Sequence, residues 1–460
     1  MSVLWTSAEA VAATGGKSTA NWQASGVSID TRTLQKGDLF VALTDVRDGH
    51  DFVAQALEKG AAAALVARVP DGVSSGAPLL VVDDVLQALG ALGVAARRRI
   101  SGQVIGVTGS VGKTGTKEML RTALSGQYRV HAAEMSYNNH WGVPLTLARM
   151  PHDTEIAVIE IGMNHAGEIS PLAIMADLDV AVITTVAPVH LAAFSGVEEI
   201  ARAKAEIFDG LKAGGTAVLN ADIDTFQILR DAARGADAQI VTFGGVKGAD
   251  VQLTAAYVSD QSTKVVFDLA GQEVAFVLGA PGVHLAMNSL AVIAACDAVG
   301  ADLSQCLTKL ARWTTPKGRG ARENIRIAEG QIELIDESYN ANPVSMAAAL
   351  DVLVQSQPKR RRIAVLGDML ELGETEVALH LKLAELDAFK VLDTVHLVGP
   401  MMKVLYDALP LDKKGVWAAS VDELSPQICD LLGPGDTVMV KGSLGTRLSI
   451  IVDAIRQMST

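Results

Sequence analysis

Residues 104–120 read VIGVTGSVGKTGTKEML: an apolar run, a turn containing Gly109 and Gly112, then Lys113 and Thr114 opening a helical stretch. These residue types in this order suit a polyphosphate. Glycines let the backbone N–H groups of Thr108, Gly109, Ser110, Val111 and Gly112 turn inward, and the helix that follows offers the positive end of its dipole. The Lys113 ammonium would bridge β- and γ-phosphates, and the Thr114 hydroxyl would hold Mg2+. One position departs from the common G-x-x-x-x-G-K-[ST] pattern, because Val107 stands five residues before Gly112. The rival reading is an ordinary glycine-rich strand-to-helix turn, and Gly-Lys-Thr straight after an apolar strand argues against it.

Mg2+ on phosphates also wants hard oxygen ligands, usually a carboxylate from a neighbouring strand. Glu160 lies inside AVIEIGM, where a carboxylate is costly to bury unless it is paired or bound to metal. The alternative is a buried glutamate paired with an arginine. His190, in APVH just beyond DVAVITTV, sits where a strand end would deliver a side chain to the same crevice. Thr114, Glu160 and His190 thus close three successive strands, which suggests a metal site. Lys204, in EEIARAKAEIF, reads only as a helix lysine on a solvated face, with Glu199 or Glu206 to neutralise it.

The elements that must carry these residues are α/β in type. Hydrophobic residues make up 49% of the 460 and aromatics only 4%, which favours layers of packed helices on sheets. Three blocks are expected, at 1–98, 99–316 and 317–460. The first holds strands at 38–43, 61–67 and 79–84. The second has QVIGVTG, 155–162, 179–186, 215–220 and 239–244, short apolar runs of the kind found in buried parallel strands. VQLTAAYVSD and STKVVFDLAG then suggest an antiparallel insert. The third has RRRIAVLGDM, DTVHLVGP and DTVMVKGS, each ending at a glycine turn as in a doubly wound sheet. The formal net charge of −13 argues against wrapping nucleic acid or an anionic membrane. Three cysteines without framework spacing, no signal-like N-terminus and no membrane-length apolar run lead to the expectation of a soluble protein in a reducing compartment.

TGSVGKT, SYNNHWGVP, EIGMNHAGEI, APVH and AKAEIF together resemble the ATP-dependent Mur ligases, which add amino acids to the nucleotide precursor of bacterial peptidoglycan. The missing first glycine of the loop is normal in that family. SIDTRTLQKGDLFVAL with DGHDF, YNNHWGVPLTL, DESYNANPVSM, LGDMLELG and VKGS resemble the branch that joins D-alanyl-D-alanine to UDP-N-acetylmuramoyl-tripeptide, and the likeness runs in order along nearly the whole chain. It implies a central P-loop ATPase-like parallel sheet, flanked by a small N-terminal α/β domain for the UDP-sugar and a C-terminal Rossmann-like domain for the acceptor. It also implies an acyl-phosphate intermediate, a hinge near Pro316 to Gly320, and a monomer in the bacterial cytoplasm with neither nucleic acid nor membrane as partner.

Site residues follow from the resemblance position by position. Ser28, Asp30 and Arg32 match the uridine-nucleotide motif, with Asp48, Gly49 and His50 beside it. Asn138 and Asn139 match the stretch that meets the precursor and orders the phosphates. Glu160 and His190 match metal positions. Lys204 matches a lysine commonly carbamylated by CO2, which turns a cation into an oxygen ligand for a second Mg2+. Asn288 matches an adenine-side residue, Arg319 the arginine that reaches the terminal phosphate, and Asp336 with Glu337 an acidic pair near the ribose. Asp368, Glu371, Lys441 and Ser443 would help form the acceptor site. Lys113, Lys204, His190 and Arg319 would carry catalysis. Three departures stand out: the compressed loop ALTDVRDGH, Glu337 for a second Asp, and Leu444 where Arg often follows KGS. Rival readings are another ligase of the family, the related folylpolyglutamate synthase, or a nucleotide switch, although the N-K-x-D guanine signature is absent.

Overall fold

The computed structural model describes residues 3–459 except Ser75 and His190, so the expectation for His190 lies outside the described residues. Its strands fall into three main sheets. The first has five strands, ordered Lys17–Ser18, Leu79–Val81, Ala63–Val66, Asp38–Val41 and Gly26–Ser28. The runs DLFV and AALV are buried along their whole length, and both lie parallel to their neighbours.

The second sheet has nine strands. From one edge, Val130–Ala132, Ile156–Glu160, Gln103–Thr108, Leu178–Ile183, Leu211–Asn220, Gln239–Gly244 and Val251–Val258 run parallel, and Thr263–Leu269 and Gln272–Leu278 then add antiparallel. The expected antiparallel insert is therefore an extension of the sheet: its first strand joins parallel to Gln239–Gly244 before the chain doubles back. The glycine loop leaves Gln103–Thr108, which lies between Ile156–Glu160 and Leu178–Ile183. The C-terminal ends of these three strands consequently meet on one edge, where a parallel sheet gathers its functional loops.

The third sheet runs Ala321–Ile327, Gly330–Glu337, Thr437–Lys441, Arg362–Gly367, Thr394–Val398 and Lys414–Ala418. Its opening antiparallel hairpin was not among the expected strands. ARENIRI carries alternating charges that mask its strand character, yet Ile325 packs inward while Arg322 pairs with Glu333 across the hairpin.

The cores divide unequally. One continuous cluster runs from Leu4 to Ala233 and joins the first sheet to one face of the second. Helix Val85–Arg99 lies within it, so the boundary expected at residue 98 falls inside a packed helix. Arg97 on that helix is buried and donates to the carbonyls of Ala176 and Asp177. The two clusters of the third sheet contain only residues from Ile325 onward.

One buried group gives this last unit a pH dependence. His396 Nδ1 accepts from Val416 N–H at 3.0 Å, so the proton sits on Nε2, which has no partner among the described residues. Burial, reinforced by the Arg361 charge, pushes its pKa down to about 4. Between that value and the unfolded value near 6.5 the unfolded chain binds more protons, so stability is lost as pH falls through this window. Lowering the pH from 7 to 4.5 is expected to cost about 2 kcal/mol from this residue. Denaturant titrations of the wild type and of His396→Gln check it: the variant should lose that share of the acid sensitivity.

Candidate active site

Helix Lys113–Leu124 starts directly from Gly112, which has φ +86°, a left-handed value that glycine accepts without strain. A Cβ on Gly112 would lie 2.7 Å from Asn288 Nδ2, so the loop and helix Val283–Ala298 approach closely only because that atom is missing. Ser110 exchanges hydrogen bonds with Ala187 (Oγ to O 3.1 Å, N to Oγ 2.9 Å), and the Thr184 hydroxyl donates to Val111 O at 2.6 Å. The loop is thus pinned to the end of strand Leu178–Ile183. Lys113 Nζ donates back to Gly109 O at 2.7 Å.

Glu160 is 2% exposed. Both of its oxygens lie 3.0 Å from the Thr114 hydroxyl, and Oε1 also accepts from Asn138 Nδ2 at 2.8 Å. No arginine or lysine pairs with it among the described residues, so the rival idea of a buried Glu–Arg pair finds no partner here. Thr114 also meets Ser136 Oγ at 2.9 Å, and Ser136 accepts from Arg319 Nη2 at 3.0 Å. Arg319 stacks over the Tyr339 ring at 4.2 Å. A single carboxylate held by hydroxyl and amide groups, with no cation in hydrogen-bond contact among the described residues, fits Mg2+, which prefers few protein oxygens together with phosphate and water. No cluster of three or more His, Cys, Asp or Glu forms a metal cage among the described residues.

Two buried lysines lie close to this carboxylate site. Burial, with Arg319 adding and Glu160 opposing, lowers the pKa of Lys113. Lys204 is buried and makes no hydrogen bond or ion pair among the described residues. Burial first, then the Lys113 charge, push its pKa well below that of an ordinary lysine. This corrects the solvated-face reading: the lysine is inside, a fact that helical spacing around charged neighbours concealed.

Lys113, Thr114, Glu160 and Arg319 line a cavity of about 530 Å3 between the second and third sheets, and Lys204 is not among the residues that line it. Ser110, Val111, Gly112, Lys113, Thr114, Asn138, Asn139, Glu160, Asn288, Arg319, Glu337 and Lys441 all open onto it. Asn139 also caps helix Gly142–Ala148 by accepting from Gly142 N–H at 2.9 Å. Lys441 pairs with Glu337 at 3.2 Å and donates to Asn340 O at 2.9 Å. Asp336, one residue earlier on the strand, faces the other way: its carboxylate accepts from Ser338 and pairs with Arg456 at 3.1 Å. Asp368 lies off the cavity and accepts from Met401 and Met402 N–H at the start of a helix, with burial raising its pKa. Ser443 Oγ accepts from Leu370 N–H at 3.0 Å, and Glu371 stands in that loop with φ +65°. Ser136, His284, Tyr339 and Asn340 line the cavity without having been singled out. The SYNN and YNANP runs contain three of them, but uncharged residues gave no reason to choose.

A second cleft, of about 880 Å3, opens on the first sheet and is lined by Asp30, Arg32, Arg47, Gly49, His50, Lys59 and Arg68 among others. His50 Nε2 accepts from Ala67 N–H at 2.9 Å, so Nδ1 carries the proton and donates to Asp48 at 2.6 Å. The Arg68 guanidinium, with the His50 contacts, holds the Asp48 carboxyl well below the usual carboxylate range. Asp30 pairs with Arg32, and Ser28 Oγ donates to Asp30 O at 3.1 Å. The cleft sets Arg32, Arg47, Lys59 and Arg68 against Asp30, Asp45, Asp83 and Asp84, so cations and carboxylates are matched around it.

A glycine loop on a parallel sheet, a buried carboxylate beside its Thr and a separate cleft rich in charged side chains define a P-loop nucleotide-dependent enzyme of the α/β class. Comparison with known proteins narrows this. Residues 107–296 match the Mur ligase middle domain, 322–444 the Mur ligase glutamate ligase domain, and 23–97 the Mur ligase family catalytic domain. The UDP-N-acetylmuramoyl-tripeptide–D-alanyl-D-alanine ligase of Bacillus subtilis is 35% identical over 93% of this chain and 92% of its own. That of Rickettsia prowazekii is 33% identical over 93% and 94%. Among solved structures, MurF from Acinetobacter baumannii superposes with a TM-score of 0.83 at 30% identity, covering 98% of both chains. MurF from Thermotoga maritima in complex with ADP gives 0.77 at 26%, covering 94% of this chain and 97% of its own. The chain belongs to the Mur ligase family.

The loop geometry carries a test. Gly112→Ala puts a Cβ into left-handed backbone, at about 1–2 kcal/mol of strain, and drives Asn288 off the loop. ADP affinity measured by calorimetry is expected to fall more than tenfold.

Proposed function

We propose that this chain joins D-alanyl-D-alanine to UDP-N-acetylmuramoyl-tripeptide at the expense of ATP, acting as a monomer in the bacterial cytoplasm. The observation that carries the reading is the convergence of Lys113, Thr114, Glu160 and Arg319 on one cavity at the junction of the second and third sheets. Similarity over more than nine-tenths of the chain to proteins bearing that name supports it.

The uphill step is amide formation from a carboxylate, which is a poor electrophile. Transfer of the γ-phosphoryl group to the terminal carboxylate of the tripeptide makes an acyl phosphate, and ADP leaves. The amine of D-alanyl-D-alanine then attacks the acyl carbon, and phosphate departs with one of the former carboxylate oxygens. A carboxylate must first approach a polyphosphate, so the residues act chiefly by position and charge. The loop amides from Gly109 to Gly112 and the helix start cradle the β-phosphate, Lys113 spans β- and γ-phosphates, and Arg319 meets the γ-phosphate from the far wall. Thr114 and Glu160, with His190, would hold Mg2+, which when bound screens the negative charge between the two reactants. Asn288 would lie on the base side and Glu337 on the ribose side, with Lys441, its ion-pair partner, towards the acceptor.

Carbamylation of Lys204 needs the uncharged amine, and burial beside Lys113 favours that form. The carbamate would add an oxygen ligand for a second metal ion. The UDP-sugar would take the cleft on the first sheet, where Arg32, Arg47, Lys59 and Arg68 can meet its phosphates, ATP the cavity that opens at the phosphate loop, and the acceptor the strand ends of 317–460, where Glu371 and the Ser443 loop lie. Closure of this third unit about Pro316 to Gly320 would exclude water from the acyl phosphate. Separate third-unit cores are consistent with such movement.

Phosphate release from ATP and Mg2+ is expected only when UDP-N-acetylmuramoyl-tripeptide and D-alanyl-D-alanine are both present, with a pentapeptide product by mass. Release with ATP alone, indifferent to either substrate, would overturn the reading. In protein equilibrated with 13C-bicarbonate, a carbamate carbon resonance absent from Lys204→Ala is expected; its absence from the wild type would remove the carbamate.

A further inference from the structure

Ser136 joins two groups that lie far apart in the chain. Its Oγ is 2.9 Å from Thr114 Oγ1 and 3.0 Å from Arg319 Nη2. The ends of this chain of hydrogen bonds fix its direction. A guanidinium only donates and a carboxylate only accepts. Thr114 therefore gives its single proton to Glu160 and can only accept from Ser136, which in turn accepts from Arg319. Four groups are polarised in one sense from cation to anion, an arrangement in which each bond strengthens the next.

The placement of Ser136 is built in. Lys117, fully buried on the helix that begins at the phosphate loop, donates to Ala133 O at 2.5 Å and Met135 O at 3.1 Å. Glu118 balances its charge at 3.0 Å. The loop's own helix thus fixes the backbone immediately before Ser136. At the other end, Arg319 sits between Gly318 and Gly320, both in left-handed backbone at φ +73° and +97°, where the chain passes to the third sheet.

We propose that Ser136 is a positioning residue that couples occupancy of the phosphate loop to the placement of Arg319, with Lys117 setting its position. This rests on the reading of the cavity as the ATP site. A ligand that takes the Thr114 oxygen or the Glu160 carboxylate competes with the chain at one end. A phosphate that takes Arg319 competes at the other. Ser136 is the group through which each end responds to the other, so it acts on turnover rather than on the capture of nucleotide.

The test is a double-mutant cycle of Ser136→Ala and Arg319→Ala, read by kcat for phosphate release with both substrates and by ATP affinity without them. Ser136→Ala is expected to lower kcat about tenfold or more while ATP affinity moves less than about threefold. On the Arg319→Ala background the same change should cost nothing further, because its effect passes through the arginine. Ser136→Thr, which keeps the hydroxyl, should retain kcat within about threefold. Additive losses, a parallel fall in affinity and kcat, or an Ala variant with unchanged kcat would each overturn the proposal. Wild-type release that ignores the two substrates would instead overturn the ATP-ligase reading beneath it.

Discussion

A carboxylate buried at the end of a parallel strand, satisfied only by neutral donors, is the constraint around which the rest of the molecule is arranged. Glu160 takes hydrogen bonds from Thr114 and Asn138 but no charge partner among the described residues. Burying such a group is costly without a compensating cation. Lys113 and Lys204 supply positive potential from nearby, and each is itself destabilised by burial. The site therefore holds separated charges of both signs, poised for a ligand that brings polyphosphate and a divalent ion. Removing water from such a site strengthens these interactions, which is what the proposed closure would achieve.

The packing joins the three sheets unequally. The first sheet shares a core with the second, and Trp5, Arg97 and Arg149 fasten the two: Trp5 donates to Ala148 O at 2.8 Å and Arg149 to Val27 O at 2.6 Å. The third sheet keeps its buried residues to itself and meets the second across the cavity through polar groups such as Arg319, Glu337 and Lys441. Polar, solvent-lined junctions open at lower cost than shared cores. A fixed precursor cleft and a movable acceptor wall would be the division of labour that the proposed two-substrate ligation needs.

Much of this was legible in the sequence because it rests on local signals. Gly-Lys-Thr after an apolar strand marked the loop, and a lone Glu in an apolar run marked the buried carboxylate beside it. Most parallel strands announced themselves as short apolar runs. What stayed hidden depends on contacts distant in sequence. Ser136 owes its role to Thr114 and Arg319, and nothing in its neighbours signals that. Lys204 looked solvated because the charges around it obscure a buried face. The hairpin of residues 321–337 was missed because cross-strand pairs such as Arg322–Glu333 put charge where a buried strand has none. Asp336 and Glu337 show the limit of motif reading: adjacent strand residues point to opposite faces, so only Glu337 reaches the cavity.

The most direct measurement of the central claim follows the oxygen atoms. With the terminal carboxylate of the tripeptide precursor labelled with 18O, activation through an acyl phosphate transfers one labelled oxygen to the inorganic phosphate released during amide formation. The account predicts one labelled oxygen per phosphate at full turnover. Unlabelled phosphate, formed while the amide product accumulates, would contradict it and separate ATP hydrolysis from activation of the carboxylate.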